Sequence, residues 1–490
     1  MSSTKFCQLI KKLLVNDMRL REVIFFSIGP LGLGILGLAI YPILAWNFSV
    51  DDIGRLGLLQ VSISFLVLCM SFGLDQSYIR EFHEAEDRYA LLKNTVYPGI
   101  IILACILVFV SVIKFNFASR LFELRSVLLE VTFLSLLVVN LLSVYINLNL
   151  RMNGRSFLYS LFQLLPKVLF LLIVCVGVMS GNFSANFVNL ALLLLCSILL
   201  VFFPFGFITR SYWLPIFSVD FDFSQFKKMA VYAMPLFISG LAFWGITASD
   251  RFFLKEYSSY SEVGIYSMAI SLAGAGMILQ AIFSTVWAPI VYKWVSNESD
   301  EAEKKISEVV SYLVLAVVVL WCLLALTSGV VTYILPVEYG KVEFLVIALV
   351  AYPLLYTVSE VTGIGINIKR KTRYSLYAAL SALTINLAGN FFLVPNYGAS
   401  GAAIASVMAM AVFLLLKTYY SRVLYGEVIS RFQMFSLLFL SFLSMAINFT
   451  DGHKASAISI RAVFLCLLVV TVVKYRYLVK EMIGYVFKVN

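Results

Sequence analysis

The chain has 490 residues, of which 61% are hydrophobic and only 13% charged, with a formal net charge of +10. Soluble domains carry roughly a quarter charged residues, so a water-soluble fold is excluded and lipid is the expected solvent. The basic excess falls in short loops between apolar runs and not in a separate basic domain, which argues against a nucleic-acid partner.

The chain opens with Phe6, Leu9, Ile10, Leu13 and Leu14 interleaved with Lys5, Lys11 and Lys12 at helical spacing. Residues 1–21 are therefore read as a cytoplasmic amphipathic segment, either lying on the anionic inner leaflet or serving as a topological retention signal. No cleavable leader is expected, because the apolar run that follows exceeds roughly 20 residues and lacks a small-residue cleavage site.

From there the expected architecture is an all-α integral membrane protein with about 14 transmembrane helices. Six fill residues 22–208, a polar connection occupies 209–226, six more fill 227–422, two lie in 432–477, and 478–490 form a tail. With the N-terminus inside, the inner segments collect 27 Lys and Arg residues, the outer segments 8, and two lie within spans. That asymmetry places both termini in the cytoplasm.

Ionisable groups inside spans need a cavity, a partner or a route to the interface, since burying one at mid-membrane costs roughly 2.5–3.5 kcal/mol. Asp75 and Arg80 close the second span, after Phe72-Gly73-Leu74. Lys167 follows Pro166 in the fifth span and is either a cation in a water-filled lumen or a residue snorkelling toward the cytoplasm. Asp250 and Arg251 near the outer end of the seventh span either line the exit of a cavity or form an interfacial pair. Glu360, deep in the tenth span between Thr357 and Thr362, either binds H⁺ or Na⁺ or pairs with a lysine. Trp244 and Trp287, each mid-span, either stack on a sugar or pack. Arg461, which opens the fourteenth span, is read as snorkelling.

Enzymatic chemistry finds little room. The sequence has no Gly-rich phosphate loop, no His-Glu-x-x-His and no nucleophile elbow. Six of its seven cysteines lie in apolar runs as small hydrophobes, and with only two histidines a metal site is not expected. A secondary transporter without a resident cofactor fits better, driven by an ion gradient or by its substrate's own gradient.

Two pairs of segments suggest a parallel duplication of six helices. Asp52-Ile53-Gly54 precedes the second span, and Glu262-Val263-Gly264 precedes the eighth, 210 positions on. Asn149-Leu150-Arg151 follows the fourth span and Asn367-Ile368-Lys369 the tenth, 218 positions on.

Three stretches resemble a known family. These are Phe72-Gly73-Leu74-Asp75 through Tyr78-Ile79-Arg80-Glu81-Phe82, Ala248-Ser249-Asp250-Arg251-Phe252-Phe253-Leu254 with Glu262-Val263-Gly264-Ile265-Tyr266-Ser267, and Asn390-Phe391-Phe392-Leu393-Val394-Pro395-Asn396-Tyr397-Gly398 with Gly401-Ala402-Ala403. Over residues 20–425 the chain resembles the Wzx-type lipid-linked oligosaccharide flippases, within the superfamily that also holds the MATE exporters and the lipid II flippase. The resemblance implies two pseudo-symmetric six-helix lobes around a central cavity in the bacterial inner membrane. It implies an undecaprenyl-diphosphate-linked oligosaccharide as substrate, moved to the periplasmic leaflet by alternating access coupled to H⁺ or Na⁺. Lys167 and Arg251 would meet the diphosphate or an acidic sugar. A monomer is expected, with a polysaccharide polymerase and a chain-length regulator as partners. A MATE-like exporter of small cations, which would favour an acidic lumen, and a non-transporting assembly scaffold are the alternatives.

Overall fold

The computed structural model describes residues 20–180, 184–297, 299–450 and 454–478. The expected N-terminal amphipathic segment up to residue 19 and the tail beyond residue 478 lie outside them. Described residues are helical almost throughout, with no strand among them. This is the solution a chain takes when no water is at hand for its backbone groups.

In chain order the principal helices are α1 (Leu20–Asn47), α2 (Val50–Ser71), α3 (Leu74–Glu81), α4 (Arg88–Ile113), α5 (Val127–Met152), α6 (Ser156–Met179), α7 (Phe187–Ile208) and α8 (Phe223–Tyr257). They continue as α9 (Tyr260–Ala273), α10 (Gly276–Asn297), α11 (Ser299–Thr327), α12 (Val342–Leu349), α13 (Ala351–Thr362), α14 (Arg373–Leu424), α15 (Arg431–Ile447) and α16 (Lys454–Lys474). Ten helical stretches among the described residues are long and apolar enough to cross a membrane, and Gly32–Asn47 and Arg431–Ile447 are shorter apolar helices. The chain is thus a multi-pass membrane protein.

Several expected spans are interrupted. The second breaks at Phe72 and Gly73, both in the left-handed region, so the motif at 72–75 is a kink followed by a new helix. The eighth is two helices meeting at Gly274 and Ala275, and the tenth is α12, α13 and the short helix Ile364–Ile368. The eleventh and twelfth run as one 52-residue helix broken at Gly398.

The chain divides into two compact units, Ile24–Phe252 and the described residues from Phe253 onward. Their boundary falls inside α8, whereas the sequence reading divides the lobes at 209–226. In the first unit, Met70, Tyr78, Leu91, Leu141 and Met229 share one core. There Tyr78 donates to Asn149 Oδ1 at 3.2 Å, and Ser77 donates to the Met229 carbonyl at 2.8 Å. In the second, Trp321 is fully buried and donates its indole N–H to the Ile347 carbonyl at 2.8 Å. Arg461, expected to snorkel, is held by protein partners instead: it donates to Ser328 Oγ at 3.1 Å and lies 3.5 Å from Glu343 Oε2.

The segments that suggest a duplication share backbone detail. Ser49 caps α2 by accepting from the Asp52 N–H, and Asp52 Oδ1 accepts from the Phe187 N–H that opens α7, at 3.2 Å. In the second unit Ser259 caps α9 by accepting from the Glu262 N–H, and Glu262 Oε2 accepts from the Ala399 N–H just past the break in α14, at 2.7 Å. Each acid satisfies a donor that a helix start leaves without an intrahelical acceptor. The ends of α5 and of Ile364–Ile368 also match. Gly154 N–H bonds to Arg151 O and Arg155 N–H to Leu150 O; Arg370 N–H bonds to Asn367 O and Lys371 N–H to Ile366 O. Both are Schellman turns around a left-handed residue, Gly154 in one and Arg370 in the other. The backbone thus matches 216 positions apart here, two fewer than the side-chain pattern suggests.

Candidate functional site

In the first unit α8 runs along the α2–α3 pair. Gly73 lies against the backbone around Ala233 and Phe237, Phe72 packs on Phe237 with ring centroids 4.8 Å apart, and Arg80 sits over the Tyr232 ring at 4.2 Å. Higher on the same two helices the Trp244 indole N–H donates to Ser64 Oγ at 3.0 Å, and its ring lies 4.6 Å from Phe65. Two turns further along α8 is Arg251, which is 9% exposed, and α1 contributes the hydroxyl of Tyr41. That hydroxyl donates to Gln60 Oε1 in α2 at 3.3 Å. Tyr41, Gln60, Ser64 and Trp244 therefore form a polar strip contributed by three helices, and Arg251 lies two turns along α8 from Trp244.

Position along the helix gives this strip its meaning. Gln60 is the eleventh residue of the 22 in α2 and is exposed, as is Ser64 one turn on. At 1.5 Å per residue, Gln60 lies about 15 Å from either end of its helix. An amide there has no water from the interface, and a lipid-facing position would leave its donors unmet. Lys167 repeats the pattern as the twelfth of 24 residues in α6, with its side chain exposed and no carboxylate partner among the described residues. It is more than two turns from either end, beyond comfortable snorkelling reach. One turn before it, Gln163 and Leu164 pack on Gly29 and Gly32 of α1, so Lys167 follows directly on the α1–α6 contact.

The other residues singled out from the sequence lie elsewhere. Asp75 accepts from the Gln76 side chain at 2.6 Å, and Arg80 is engaged with Tyr232. Nineteen residues of α8 separate Tyr232 from Arg251, about 28 Å of helix, so Asp75 and Arg80 do not share a site with Arg251. Beside them burial pushes the Glu81 carboxyl up, with Arg80 pulling the other way. Asp250 is 1% exposed, buried next to Arg251. Trp287 belongs to the second unit, where it is buried edge-on to Trp294 at 6.2 Å.

Glu360 is also in the second unit and has the lysine partner that one reading of it anticipated. Lys417 of α14, 5% exposed, forms an ion pair and hydrogen bond with Glu360 Oε1. The ammonium lies 5.8 Å from the Tyr356 ring centre and 5.3 Å from that of Phe413, two rings that stack on each other. Thr362, two residues after Glu360, and Thr418, next to Lys417, share a hydrogen bond at 2.7 Å.

Reading the sequence missed Lys417, Gln60 and Tyr41. Lys417 passes in the charge count as one more inner-side cation beside Arg422 and Arg431. Gln60 and Tyr41 are uncharged and do not stand out in an apolar run, although a glutamine at the midpoint of a span is the signal that would have found the first. Among the described residues no group of three His, Cys, Asp or Glu side chains gathers as a metal site.

Comparison with known proteins agrees with this architecture. The profile of the family described as polysaccharide biosynthesis protein matches residues 20–295. The chain is 23% identical over 202 residues to the probable low-salt glycan biosynthesis flippase Agl15 of Haloferax volcanii, covering 41% of this chain and 43% of that one. It is 23% identical over 282 residues to the capsular polysaccharide biosynthesis protein CapF of Staphylococcus aureus, covering 56% of this chain and 67% of that protein. Among solved structures it is similar to the lipid II flippase MurJ in an inward closed conformation, with a TM-score of 0.61 over 93% of this chain and all of that one, at 15% identity. An inward-facing multidrug resistance MATE transporter matches with a TM-score of 0.53, over 82% of this chain and 97% of that one, also at 15% identity. These two likenesses show the fold.

Proposed function

Because the chain belongs to the polysaccharide biosynthesis protein family, we propose that it is a flippase and not an enzyme, translocating undecaprenyl-diphosphate-linked oligosaccharide across the bacterial inner membrane. The carrying observation is the pair of polar side chains exposed at helix midpoints in the first unit, Lys167 and Gln60, with Arg251 two turns along α8 from the Trp244 that meets the Gln60 strip at Ser64. A sugar–diphosphate head cannot cross hydrocarbon unaided, whereas its polyprenyl tail can remain in lipid. A bundle that moves the head must offer polar groups across the span and a cation for the diphosphate, because anionic oxygens are held best by charge-assisted hydrogen bonds. The similarity of the chain to proteins named as a glycan biosynthesis flippase and a capsular polysaccharide biosynthesis protein supports the same reading.

In this reading both termini are cytoplasmic, transport runs from the cytoplasmic to the periplasmic leaflet, and H⁺ or Na⁺ drives the return of the empty carrier. The test is transfer of a fluorescent undecaprenyl-diphosphate oligosaccharide between leaflets of proteoliposomes, with and without an imposed gradient. Protein-dependent transfer that falls about 10- to 100-fold in Lys167→Ala and in Arg251→Ala is expected, the factor that loss of a charged hydrogen bond corresponds to. No transfer, with gradient-driven efflux of a cationic dye instead, would overturn it in favour of a drug exporter.

A further inference from the structure

The hydrogen-bonded strip is uncharged, and a cation, Arg251, stands two turns along α8 from its Trp244, a division that suggests which part of a substrate each one meets. Arg251 is 9% exposed. Besides the Tyr41 phenol, the groups of the strip are an amide, a hydroxyl and an indole: Gln60, Ser64 and Trp244. Their bonds to one another are unequal. Ser64 Oγ donates to the Val61 carbonyl at 2.8 Å and accepts from Trp244, which occupies the indole N–H as well. Gln60 uses only its oxygen, as acceptor for Tyr41, and its amide nitrogen has no protein acceptor among the described residues.

An exposed primary amide at the centre of a span is the costliest uncharged group to leave without a partner, and its two N–H donors suit acceptors that carry no formal charge. Sugar hydroxyls and acetamido carbonyls are such acceptors; diphosphate oxygens are better met by a guanidinium. Neutral carbohydrate sites use this mixture of a few amide and hydroxyl groups set among aromatic side chains. Trp244, Phe65 and Tyr41 supply the aromatic surroundings here.

We propose that Gln60, its amide oriented by Tyr41, is a specificity-determining residue that hydrogen-bonds the sugar of the lipid-linked substrate, while Arg251 serves the diphosphate. The inference rests on the flippase reading and separates a glycan-reading strip from an anion-holding cation. Tyr41 is a positioning residue in it, holding the Gln60 oxygen so that the nitrogen faces outward.

The experiment compares two fluorescent probes in the same proteoliposomes: undecaprenyl diphosphate bearing the oligosaccharide purified from the producing cells, and undecaprenyl diphosphate with no sugar. The variants are Gln60→Leu, which keeps the volume and suits a span, Gln60→Asn, and Tyr41→Phe, which removes only the orienting hydroxyl. Gln60→Leu is expected to raise the apparent KM for the sugar-bearing probe about five- to tenfold, the cost of one neutral hydrogen bond, with a clearly smaller rise for the sugarless probe. Gln60→Asn should recover part of the loss, and Tyr41→Phe should fall between wild type and Gln60→Leu. Equal loss for both probes would make Gln60 a structural residue and overturn the inference, as would no change for either. If the wild-type protein transfers neither probe, the flippase reading itself fails, which is a distinct result.

Discussion

The two halves of the molecule use the same device at their helix ends and different chemistry between them. At the start of α2 and of α9 a serine caps the helix, and an acid three residues on reaches a backbone N–H at the start of another helix, Phe187 in one case and Ala399 in the other. Mid-span the likeness stops. Gln60 and Ser64 are exposed in α2, and the positions 210 further on are Ile270 and Gly274. Both halves bury charges, Asp250 and Arg251 in the first and the Glu360–Lys417 pair in the second, so the difference lies in the exposed uncharged groups. Helix ends require donors and acceptors whatever the protein does, so duplication preserves them there. The middles of spans are free to diverge, and in this chain the first half has become the polar one.

The largest expected effect tests whether the second half's charges are bound to each other. Lys417→Met leaves the Glu360 carboxylate without its partner inside the bundle and is expected to cost about 3 kcal/mol, while Glu360→Met with Lys417→Met should return to within about 1 kcal/mol of wild type. Thermal unfolding in detergent micelles measures both. A double variant no more stable than the single would break the picture of one coupled pair. We also propose that Glu360 serves the coupling ion, and the double variant tests this: it should fold yet lose its response to an imposed gradient.

Next comes the break in α14. Gly398 has φ +52° and ψ −131°, and a Cβ placed there would lie 2.7 Å from Glu262 Oε2. Gly398→Ala is therefore expected to destabilise by about 2 kcal/mol, from backbone strain and displacement of the clamp together. Neutralising the clamp in each half gives a matched comparison. Glu262→Gln and Asp52→Asn should each cost about 1 kcal/mol, the worth of a hydrogen bond to a helix start. The Lys341 contact to Glu262 should add little, since the lysine side chain is 58% exposed. A loss confined to one variant would show that the two clamps are alike in geometry only.

How much of this was legible in the sequence depends on the kind of signal. Hydrophobic runs of span length announce themselves, and so does an acid-aliphatic-glycine segment recurring before corresponding spans, which pairs Asp52-Ile53-Gly54 with Glu262-Val263-Gly264; the serine caps beside them emerge only from the structure. The helix breaks were harder, because a span interrupted at Phe72 and Gly73 has the same composition as a continuous one. Site residues were legible when charged or, like Trp244, large and aromatic at mid-span. Lys167, Arg251 and Glu360 stood out against apolar neighbours, but the sequence cannot say which meets a partner: Glu360 has Lys417 through a contact 57 residues away, and Arg461 has Ser328 133 residues away. Gln60 matters through exposure at mid-helix, which only the packing of three helices reveals.

The smallest effects offer the finest test of the duplication. The turn after α5 has Gly154 at its left-handed position, with φ +69°, and the corresponding turn after Ile364–Ile368 has Arg370, with φ +54°. Glycine occupies that region without a Cβ clash, while an L side chain there costs about 1 kcal/mol. Gly154→Arg should therefore destabilise by about 1 kcal/mol, and Arg370→Gly should gain up to about that much, less the larger chain entropy that glycine brings to the unfolded state. Because no atom lies within 4 Å of a Cβ built on Gly154, the substitution meets no steric clash at Cβ, and Gly154→Ala separates the backbone effect from the charge that arginine adds beside Arg151 and Arg155. Unfolding midpoints that move in opposite directions would confirm that the two turns are one motif with different occupants. If Arg370→Gly also destabilises, the Arg370 side chain contributes something in the second half that the first half's turn does without, and the turns have diverged in more than their residue.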